Sequence, residues 1–290
     1  MTDNLLTVLT EIVLTPWGLA VLGLCVGSFL NVVIHRMPLM LEQQWKADAR
    51  SVLEMPEAAA DEGTPLSLSR PRSRCPACGH QIRWYENIPL LSWLALRGKC
   101  SACSARISVR YPLVELATGA LFAACAWRFG NAPTTLLWCG FMAVLVAAAM
   151  IDWDTTLLPD DLTFPLLWAG LIAAALGWTL PLTESLWGAV AGYLSLWSVY
   201  WLFKLTTGKE GMGYGDFKLL AALGAWLGWT MILPIVLASS VIGALIGIGM
   251  KVTGQLREGI YVPYGPFLAG AGIVVTLAGS RNVLQWLGWA

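Results

Sequence analysis

The chain has 290 residues, of which 57% are hydrophobic and only 12% are charged. Soluble globular proteins carry about 25% charged residues, so this composition excludes an ordinary soluble enzyme. The 16 tryptophans agree with this, because tryptophan is enriched where a membrane meets water. Basic and acidic residues balance at 18 each, so the net charge gives no reason to expect a nucleic-acid partner. The composition predicts an all-α polytopic membrane protein.

Eight apolar runs are candidates for transmembrane helices, each of which needs about 20 residues to cross roughly 30 Å of hydrocarbon. They lie at residues 12–34, 112–130, 134–151, 163–180, 185–205, 217–229, 231–250 and 266–288. Only Asp3 and Glu11, and no basic residue, precede the first run. This favours a retained first helix over a cleaved signal peptide. We therefore expect about eight transmembrane helices.

The interval from residue 217 to residue 251 can be divided in two ways. One long helix bent at Pro234 would place Lys251 and Arg257 on the outer face. Two helices joined by a turn near residues 228–230 keep both charges inside, and we prefer this interpretation. The first helix would then have about 13 residues and a length of about 20 Å. It should begin below the membrane surface.

Positive charges are distributed unevenly between the two sides of the membrane. The hydrophilic segment 35–111 holds eleven of the 18 lysine and arginine residues. Placing it in the cytoplasm also puts these residues inside: Lys204, Lys209, Lys218, Lys251 and Arg257. Only Arg128 and Arg281 remain outside, so both termini are predicted to be periplasmic. The predicted domains are a first transmembrane helix (1–34), a cytoplasmic loop (35–111) and a seven-helix membrane domain (112–290).

The cytoplasmic loop contains two C-x₂-C pairs within residues 73–111, after a predicted helix and linker at residues 41–72. The pairs are Cys75/Cys78 and Cys100/Cys103, with 21 residues between them. This spacing is close to that of four-cysteine zinc sites. Two disulfides are the alternative, which a reducing cytoplasm disfavours. The loop is therefore predicted to hold a structural Zn²⁺, which could supply on the order of 10 kcal/mol of folding free energy.

The other potential metal ligands have simpler interpretations. His80 could replace a cysteine, but four sulfurs already close a tetrahedral site, so a polar residue facing solvent is favoured. Cys25, Cys125 and Cys139 lie in apolar runs and are expected to be small buried hydrophobic residues.

Carboxylates gather at the cytoplasmic ends of two predicted helices. One group is Asp152, Asp154, Asp160 and Asp161; the other is Asp216, which follows the glycine-rich residues 211–215. Two carboxyl groups about 3 Å apart share one proton and can hydrolyse a peptide bond without metal or histidine. Gly213 and Gly215 could let a substrate backbone approach Asp216. Helix capping is the alternative, and it is favoured for Asp160 and Asp161.

Several motifs occur together along residues 20–270. They are GMGYGDFKLL (211–220), VGSFLNVVIHR (26–36), ENIP (86–89), RYPLVE (110–115), LLPD (157–160) and the two C-x₂-C pairs. In this combination the chain resembles the bifunctional type IV prepilin peptidases, which are membrane aspartic peptidases with a G-x-G-D signature.

The resemblance implies an enzyme of the bacterial inner membrane with two activities. It would remove the basic leader from type IV prepilins and type II secretion pseudopilins, and then N-methylate the new N-terminal residue, usually Phe, with S-adenosylmethionine. The catalytic aspartates would be Asp152 and Asp216, and the metal ligands Cys75, Cys78, Cys100 and Cys103. The enzyme would be surrounded by membrane lipid, and no nucleic-acid partner is expected.

The sequence gives little indication of where the methyl donor binds. No G-x-G-x-x-G motif is present, so the metal-binding loop is the most plausible location. Gly98, Glu86 and Asn87 are candidates, although an ordinary role in loop turns is favoured for each. For the basic leader we hypothesise attraction by acidic loop residues, namely Asp154, Asp160, Asp161 and Glu210.

Two other functions are compatible with acidic residues and a metal loop in a membrane protein. A proton-coupled transporter could use the aspartates as relays. It predicts carboxylates near the bilayer centre and internal repeats, and the sequence indicates neither. A non-catalytic scaffold of a secretion machine would leave the glycines beside Asp216 without a purpose.

Overall fold

The computed structural model describes residues 12–54, 66–254 and 262–289. Within these residues the chain is helical, and the β-structure there is limited to two isolated bridges. The chain divides into two compact units, residues 1–143 and 144–290. Of the charges used to predict orientation, Asp3, Glu11 and Arg257 lie outside the described residues.

The first unit contains α1 (Pro16–Val52), the 3₁₀ helix Trp84–Asn87, α2 (Leu91–Ala95), α3 (Arg110–Phe129) and the start of α4 (Thr135–Thr155). The second unit contains the rest of α4, α5 (Asp160–Ala175), α6 (Leu182–Thr207), α7 (Tyr214–Leu227), the 3₁₀ helix Trp229–Met231, α8 (Ile232–Val252), α9 (Gly265–Ala278) and α10 (Ser280–Trp286).

Each of the eight apolar runs overlaps a helix, but not every helix could cross a membrane alone. Among the described residues, four are long and apolar enough to do so: α1, α4, α6 and the segment Trp229–Val252. α9 and α10 meet at an angle of 103° and could form a fifth, broken span. The chain is therefore a membrane protein with four or five apolar spans, and the count of eight stays a prediction.

The last apolar run is not the single helix that its composition predicts. Gly279 ends α9 with φ 85°, a conformation that favours glycine, and α10 starts at the next residue. The preference for two helices between residues 217 and 251 is confirmed. α7 ends at Leu227, and a 3₁₀ turn leads into α8.

In the first unit, α1 packs along α3. Pro16 occupies the first turn of α1, and the hydroxyl of Thr15 accepts the N–H of Gly18, which is a regular N-terminal cap. Gly27 lies directly against the backbone of Glu115 on α3. α1 continues beyond the predicted apolar run, through Pro38, to Val52.

In the second unit, α7 is enclosed by other helices, and ten of its 14 residues are buried. Its closest neighbour is α6, because Gly188 and Gly224 bring the two backbones into contact. A Cβ on Gly224 would lie only 2.0 Å from the carbonyl oxygen of Gly188. The indole N–H of Trp226 donates to the carbonyl of Leu166 on α5 at 2.8 Å. These contacts fix the position of the helix that carries Asp216.

Candidate active site and metal module

Asp152 and Asp216 lie together in the second unit, on different helices. Asp152 is in the last turn of α4, and Asp216 is in the first turn of α7. Only 5% and 6% of their surfaces are exposed, and the two carboxyl groups interact electrostatically. Buried carboxylates without a cationic partner are costly, so their pairing here is typical of a functional site rather than of structural packing.

Each of these aspartates is held by a backbone N–H group. Gly265, the first residue of α9, donates to Asp152 Oδ2 at 3.0 Å. The N–H of Gly213, the N-cap of α7, hydrogen-bonds to the carboxyl group of Asp216. Both donors belong to helix starts, where N–H groups have no partner inside the helix. One oxygen of Asp152 is thus fixed while its carboxyl group stays beside Asp216.

The contact from Gly265 was not anticipated from the sequence. A Cβ at this position would lie 2.6 Å from Asp152 Oδ2, so the close approach requires glycine. The available signal was the pair Gly265-Pro266 at the head of the last apolar run, because proline favours the first turn of a helix. That signal marks a helix start but does not reveal its partner.

The two glycines of the G-x-G-D motif have different surroundings. A Cβ on Gly215 would lie 2.6 Å from Cβ of Leu158, so the space beside Gly215 is filled by Leu158 and not left for a substrate. Gly213 has open space around it. The expected approach of a substrate backbone therefore remains possible at Gly213 only.

The acidic residues near the aspartate pair are partly engaged in ion pairs. Lys218 Nζ lies 2.6 Å and 2.9 Å from the two carboxylate oxygens of Asp160. Lys204 Nζ lies 2.8 Å from Glu210 Oε1. Asp160 stands in the first turn of α5, as does its neighbour Asp161, but the N-cap is Pro159. The expected capping role of these two aspartates is therefore wrong, although a negative charge in a first turn is still favourable.

The four predicted metal ligands meet in the first unit. The sulfur atoms of Cys75, Cys78, Cys100 and Cys103 all lie within 4.8 Å of one another. The Cys75 and Cys103 sulfurs are 3.8 Å apart. Tetrahedral zinc with Zn–S bonds of about 2.3 Å also places its sulfurs about 3.8 Å apart. The cluster could therefore bind a metal ion, and its donor set fits zinc.

The backbone around one sulfur of each cysteine pair favours a thiolate. The N–H groups of Ala77 and Cys78 point at the sulfur of Cys75 and lower its pKa to about 7. The N–H groups of Cys103 and Ala102 likewise lower the pKa of Cys100. Hydrogen bonds to the charged form favour that form, and the thiolate is the form that binds metal.

Glu86 connects the two cysteine pairs through hydrogen bonds. Its Oε1 accepts the hydroxyl of Ser101 at 2.6 Å, next to Cys100. Its Oε2 accepts the N–H of Arg83 at 2.8 Å and lies 3.3 Å from His80 Nε2. The Arg83 N–H and then the Ser101 hydroxyl lower the pKa of Glu86 to about 2. His80 is therefore part of this network rather than simply facing solvent.

The other two methyl-donor candidates differ in their structural roles. Gly98 has φ 67°, and a Cβ there would lie 2.9 Å from the ring of Trp93. Its role in a tight turn is thus sufficient to explain it. Asn87 is exposed and lines a cavity of about 840 Å³. Arg72, Trp84 and Tyr85 line the same cavity.

A second cavity of about 500 Å³ has Glu86 and Ser101 in its wall. His80, Arg83 and Tyr85 line both cavities, which therefore form neighbouring parts of one groove on the metal module. The groove combines cationic, aromatic and carboxylate groups.

The cysteines outside the metal module are not all buried as expected. Cys125 and Cys139 are buried, in agreement with the sequence interpretation. Cys25 is exposed on α1. The expectation for Cys25 is wrong because a helix in a membrane can direct an apolar side chain outward as readily as inward.

Comparisons with known proteins cover nearly the whole chain. The model of the bacterial peptidase A24 N-terminal domain matches residues 21–129, and that of the type IV leader peptidase family matches residues 139–248. No solved structure matches the chain.

Curated relatives extend this similarity over at least nine tenths of both chains. The prepilin leader peptidase/N-methyltransferase of Stutzerimonas stutzeri is 56% identical over 93% of this chain and 93% of its own. The protein of the same name from Pseudomonas aeruginosa is 53% identical over 92% and 93%, and that from Aeromonas hydrophila is 52% identical over 91% and 90%. This chain therefore belongs to the prepilin leader peptidase/N-methyltransferase family.

Proposed function

We propose that this protein removes the leader peptide from type IV prepilins and pseudopilins by aspartic proteolysis, with Asp152 and Asp216 as the catalytic pair. The observation that carries this proposal is the meeting of two buried carboxyl groups, each held by one backbone N–H. Membership of the family gives the class of substrate. The names of the relatives describe enzymes, which speaks against a transporter.

The chemistry follows from one proton shared between two carboxyl groups. The ionised carboxylate takes a proton from water, and the water oxygen bonds to the carbonyl carbon of the scissile peptide. The protonated carboxyl group donates to the carbonyl oxygen. When the tetrahedral intermediate collapses, the C–N bond breaks and the leaving amine receives a proton. Gly265 keeps one oxygen of Asp152 in place during these transfers.

We place the active site at the cytoplasmic face of the bacterial inner membrane, with both termini periplasmic. This orientation puts 16 of the 18 basic residues inside. A prepilin leader is basic, and an apolar helix follows it, so the scissile bond lies where the cytoplasm meets the bilayer. Asp161 has an exposed position near this site and is available to attract the leader, whereas Asp160 and Glu210 already have lysine partners.

The second activity is transfer of a methyl group to the new N-terminal amine, usually of Phe. S-adenosylmethionine, when bound, supplies an electrophilic methyl group for this reaction. The groove on the metal module is suited to such a molecule. Trp84 and Tyr85 offer aromatic faces for the adenine, and Arg72 and Arg83 offer guanidinium groups for the carboxylate. Asn87 offers an amide, and Glu86 forms part of the groove wall.

The metal of the cysteine cluster is zinc with a structural role. Four thiolates leave no open coordination position for a substrate. The module between α1 and α3 has a small apolar core, so it depends on the ion for its fold.

The peptidase assignment is tested by asparagine substitutions in the purified full chain with a prepilin substrate. Asp152→Asn and Asp216→Asn should each lower the cleavage rate by about 10⁴-fold or more. Methylation of an already cleaved pilin and the metal content should stay unchanged. Glu184→Gln, which removes an exposed carboxylate from α6, is the matched control. A normal cleavage rate for Asp152→Asn together with an inactive Asp154→Asn would transfer the role to Asp154.

The methyl-donor groove is tested by direct binding of S-adenosylhomocysteine, measured by calorimetry. Trp84→Ala and Asn87→Ala should weaken binding at least about tenfold while prepilin cleavage continues. Trp127→Ala, which removes an exposed tryptophan from α3, should bind normally. Unchanged binding in both groove variants would place the methyl donor elsewhere.

A further inference from the structure

The short helix α2 of the metal module exposes apolar side chains next to a membrane helix. The exposed fractions of Leu91 and Leu94 are 66% and 63%. Their spacing of three residues puts both on one face of α2. Trp84, in the preceding 3₁₀ helix, is 82% exposed. Large apolar side chains grouped in this way on a polar module mark an interaction surface.

Hydrogen bonds fix the start of α2 beside the pair α1–α3. The N–H of Leu90 donates to the buried carboxylate of Glu115 on α3 at 2.8 Å. Gly27 on α1 lies against the backbone of Glu115. One turn further along α1, Asn31 Nδ2 donates to the carbonyl of Tyr111 at 3.1 Å. Because Asn31 is near the end of the apolar run of α1, α2 begins at the level where α1 leaves that run.

The charge of the module indicates the partner for this surface. Residues 66–109 contain seven lysine and arginine residues and a single carboxylate, Glu86. Four thiolates around one Zn²⁺ add a net charge of −2, so the module with its metal still carries +4. Arg97 and Lys99 directly follow α2 and are exposed. This excess of positive charge repels a basic prepilin leader and attracts anionic headgroups.

We infer that α2 docks on the lipid surface, with Leu91 and Leu94 between acyl chains and Arg97 and Lys99 on anionic phospholipid headgroups. Apolar residues followed by cations, with a tryptophan nearby, are the usual composition of such surfaces. The docking holds the metal module, and with it the groove, against the membrane beside α1 and α3. It does not depend on the proposed catalytic roles. In a nanodisc it does not depend on orientation either, because both faces carry the same lipid.

The test is photo-cross-linking from the full chain in nanodiscs. Leu94→p-benzoylphenylalanine should form adducts with phospholipid, and these should increase when phosphatidylcholine is mixed with about one quarter phosphatidylglycerol. Ala77→p-benzoylphenylalanine, at an exposed position between Cys75 and Cys78, is the control. Adding Arg97→Gln and Lys99→Gln to the Leu94 probe should lower the yield by about fivefold per charge removed.

Three results would overturn the inference: equal lipid adducts at Leu94 and Ala77, adducts of the Leu94 probe with added prepilin, or adducts with a second copy of the chain. The prepilin result would make α2 a substrate-docking surface. Hydrogen exchange on the unmodified chain gives a second measurement that does not depend on the probe. The amides of residues 91–97 should exchange several-fold more slowly in the anionic nanodisc than in phosphatidylcholine alone, and equal rates would contradict docking.

Discussion

The aspartate pair and the cysteine cluster are built in opposite ways. The four cysteines lie within 29 residues of sequence, each pair in one tight turn, and all four sulfurs meet. Asp152 and Asp216 are brought together only by the packing of separate helices, and the N–H that holds Asp152 comes from Gly265, 113 residues away. One site is defined by local spacing and the other by the tertiary fold.

This difference determines how each site should fail. A local metal site loses its fold when a ligand is removed, because the ion supplies much of the folding free energy. A site assembled by packed helices keeps its fold when a polar group is changed but loses its geometry when a close contact is altered. The following variants separate these two behaviours.

Removal of a metal ligand should have the largest effect on folding. Cys100→Ser is expected to remove the bound ion and on the order of 10 kcal/mol of folding free energy from the module. Methylation should be impaired at least as much as cleavage. Metal content per chain and limited proteolysis between α1 and α3 measure the change, with Cys25→Ser as the control. A Cys100→Ser protein that retains its metal and resists protease would contradict the four-cysteine site.

A small change of shape should act on the aspartate pair without unfolding the protein. Gly265→Ala places a Cβ 2.6 Å from Asp152 Oδ2 and 3.0 Å from Leu158. Since a displacement of about 1 Å costs about 100-fold in rate, the cleavage rate should fall by that factor. Gly270→Ala, on the same helix but facing open space, should cleave normally. Equal rates for the two variants would show that the Gly265 contact does not matter.

Loss of the link between the cysteine pairs should weaken metal binding more mildly than loss of a ligand. Glu86→Gln keeps the size of the side chain but replaces one of the two oxygens that accept the Ser101 hydroxyl and the Arg83 N–H. Outer contacts of this kind change metal affinity by about tenfold or more. Release of zinc to a colorimetric chelator should therefore be faster, and Glu42→Gln on the exposed part of α1 is the control. Identical release rates would show that Glu86 does not contribute to metal binding.

The ion pair at the rim of the aspartate site should matter least. Lys218 and Asp160 have side chains that are 24% and 53% exposed, so solvent screens their attraction. Lys218→Gln and Asp160→Asn should each cost about 1 kcal/mol or less in thermal stability. The double variant should cost little more than either single one. A loss of several kcal/mol would mean that the pair, and not only helix packing, fixes the start of α7.

Sequence reasoning succeeded where the outcome depends on local spacing or on the ends of apolar runs. The spacing of the two C-x₂-C pairs predicts that the four cysteines meet. The helix break near residues 228–230 was expected from a topology that keeps Lys251 on the same side as most other basic residues. The positions of Asp152 and Asp216 at the ends of apolar runs were enough to expect them on one side of the membrane. These inferences required no knowledge of how the helices pack.

The remaining features depend on contacts that leave no local pattern. Gly265 donates through its backbone, so its side chain gives no indication of the contact. The packing of Leu158 against Gly215 and the 103° bend at Gly279 depend on neighbouring helices. The exposure of Cys25 could not be predicted either, because apolar residues fill both the interior and the lipid-facing surface of a membrane protein.

The enclosure of α7 separates Asp216 from the lipid environment. Ten of the 14 residues of this helix are buried in protein, whereas α6 and the segment Trp229–Val252 are mostly exposed. Changes in acyl-chain length therefore act first on these outer helices, which can tilt to match a thicker or thinner bilayer. The position of Asp216 should consequently change little when the fatty-acid composition of the membrane changes.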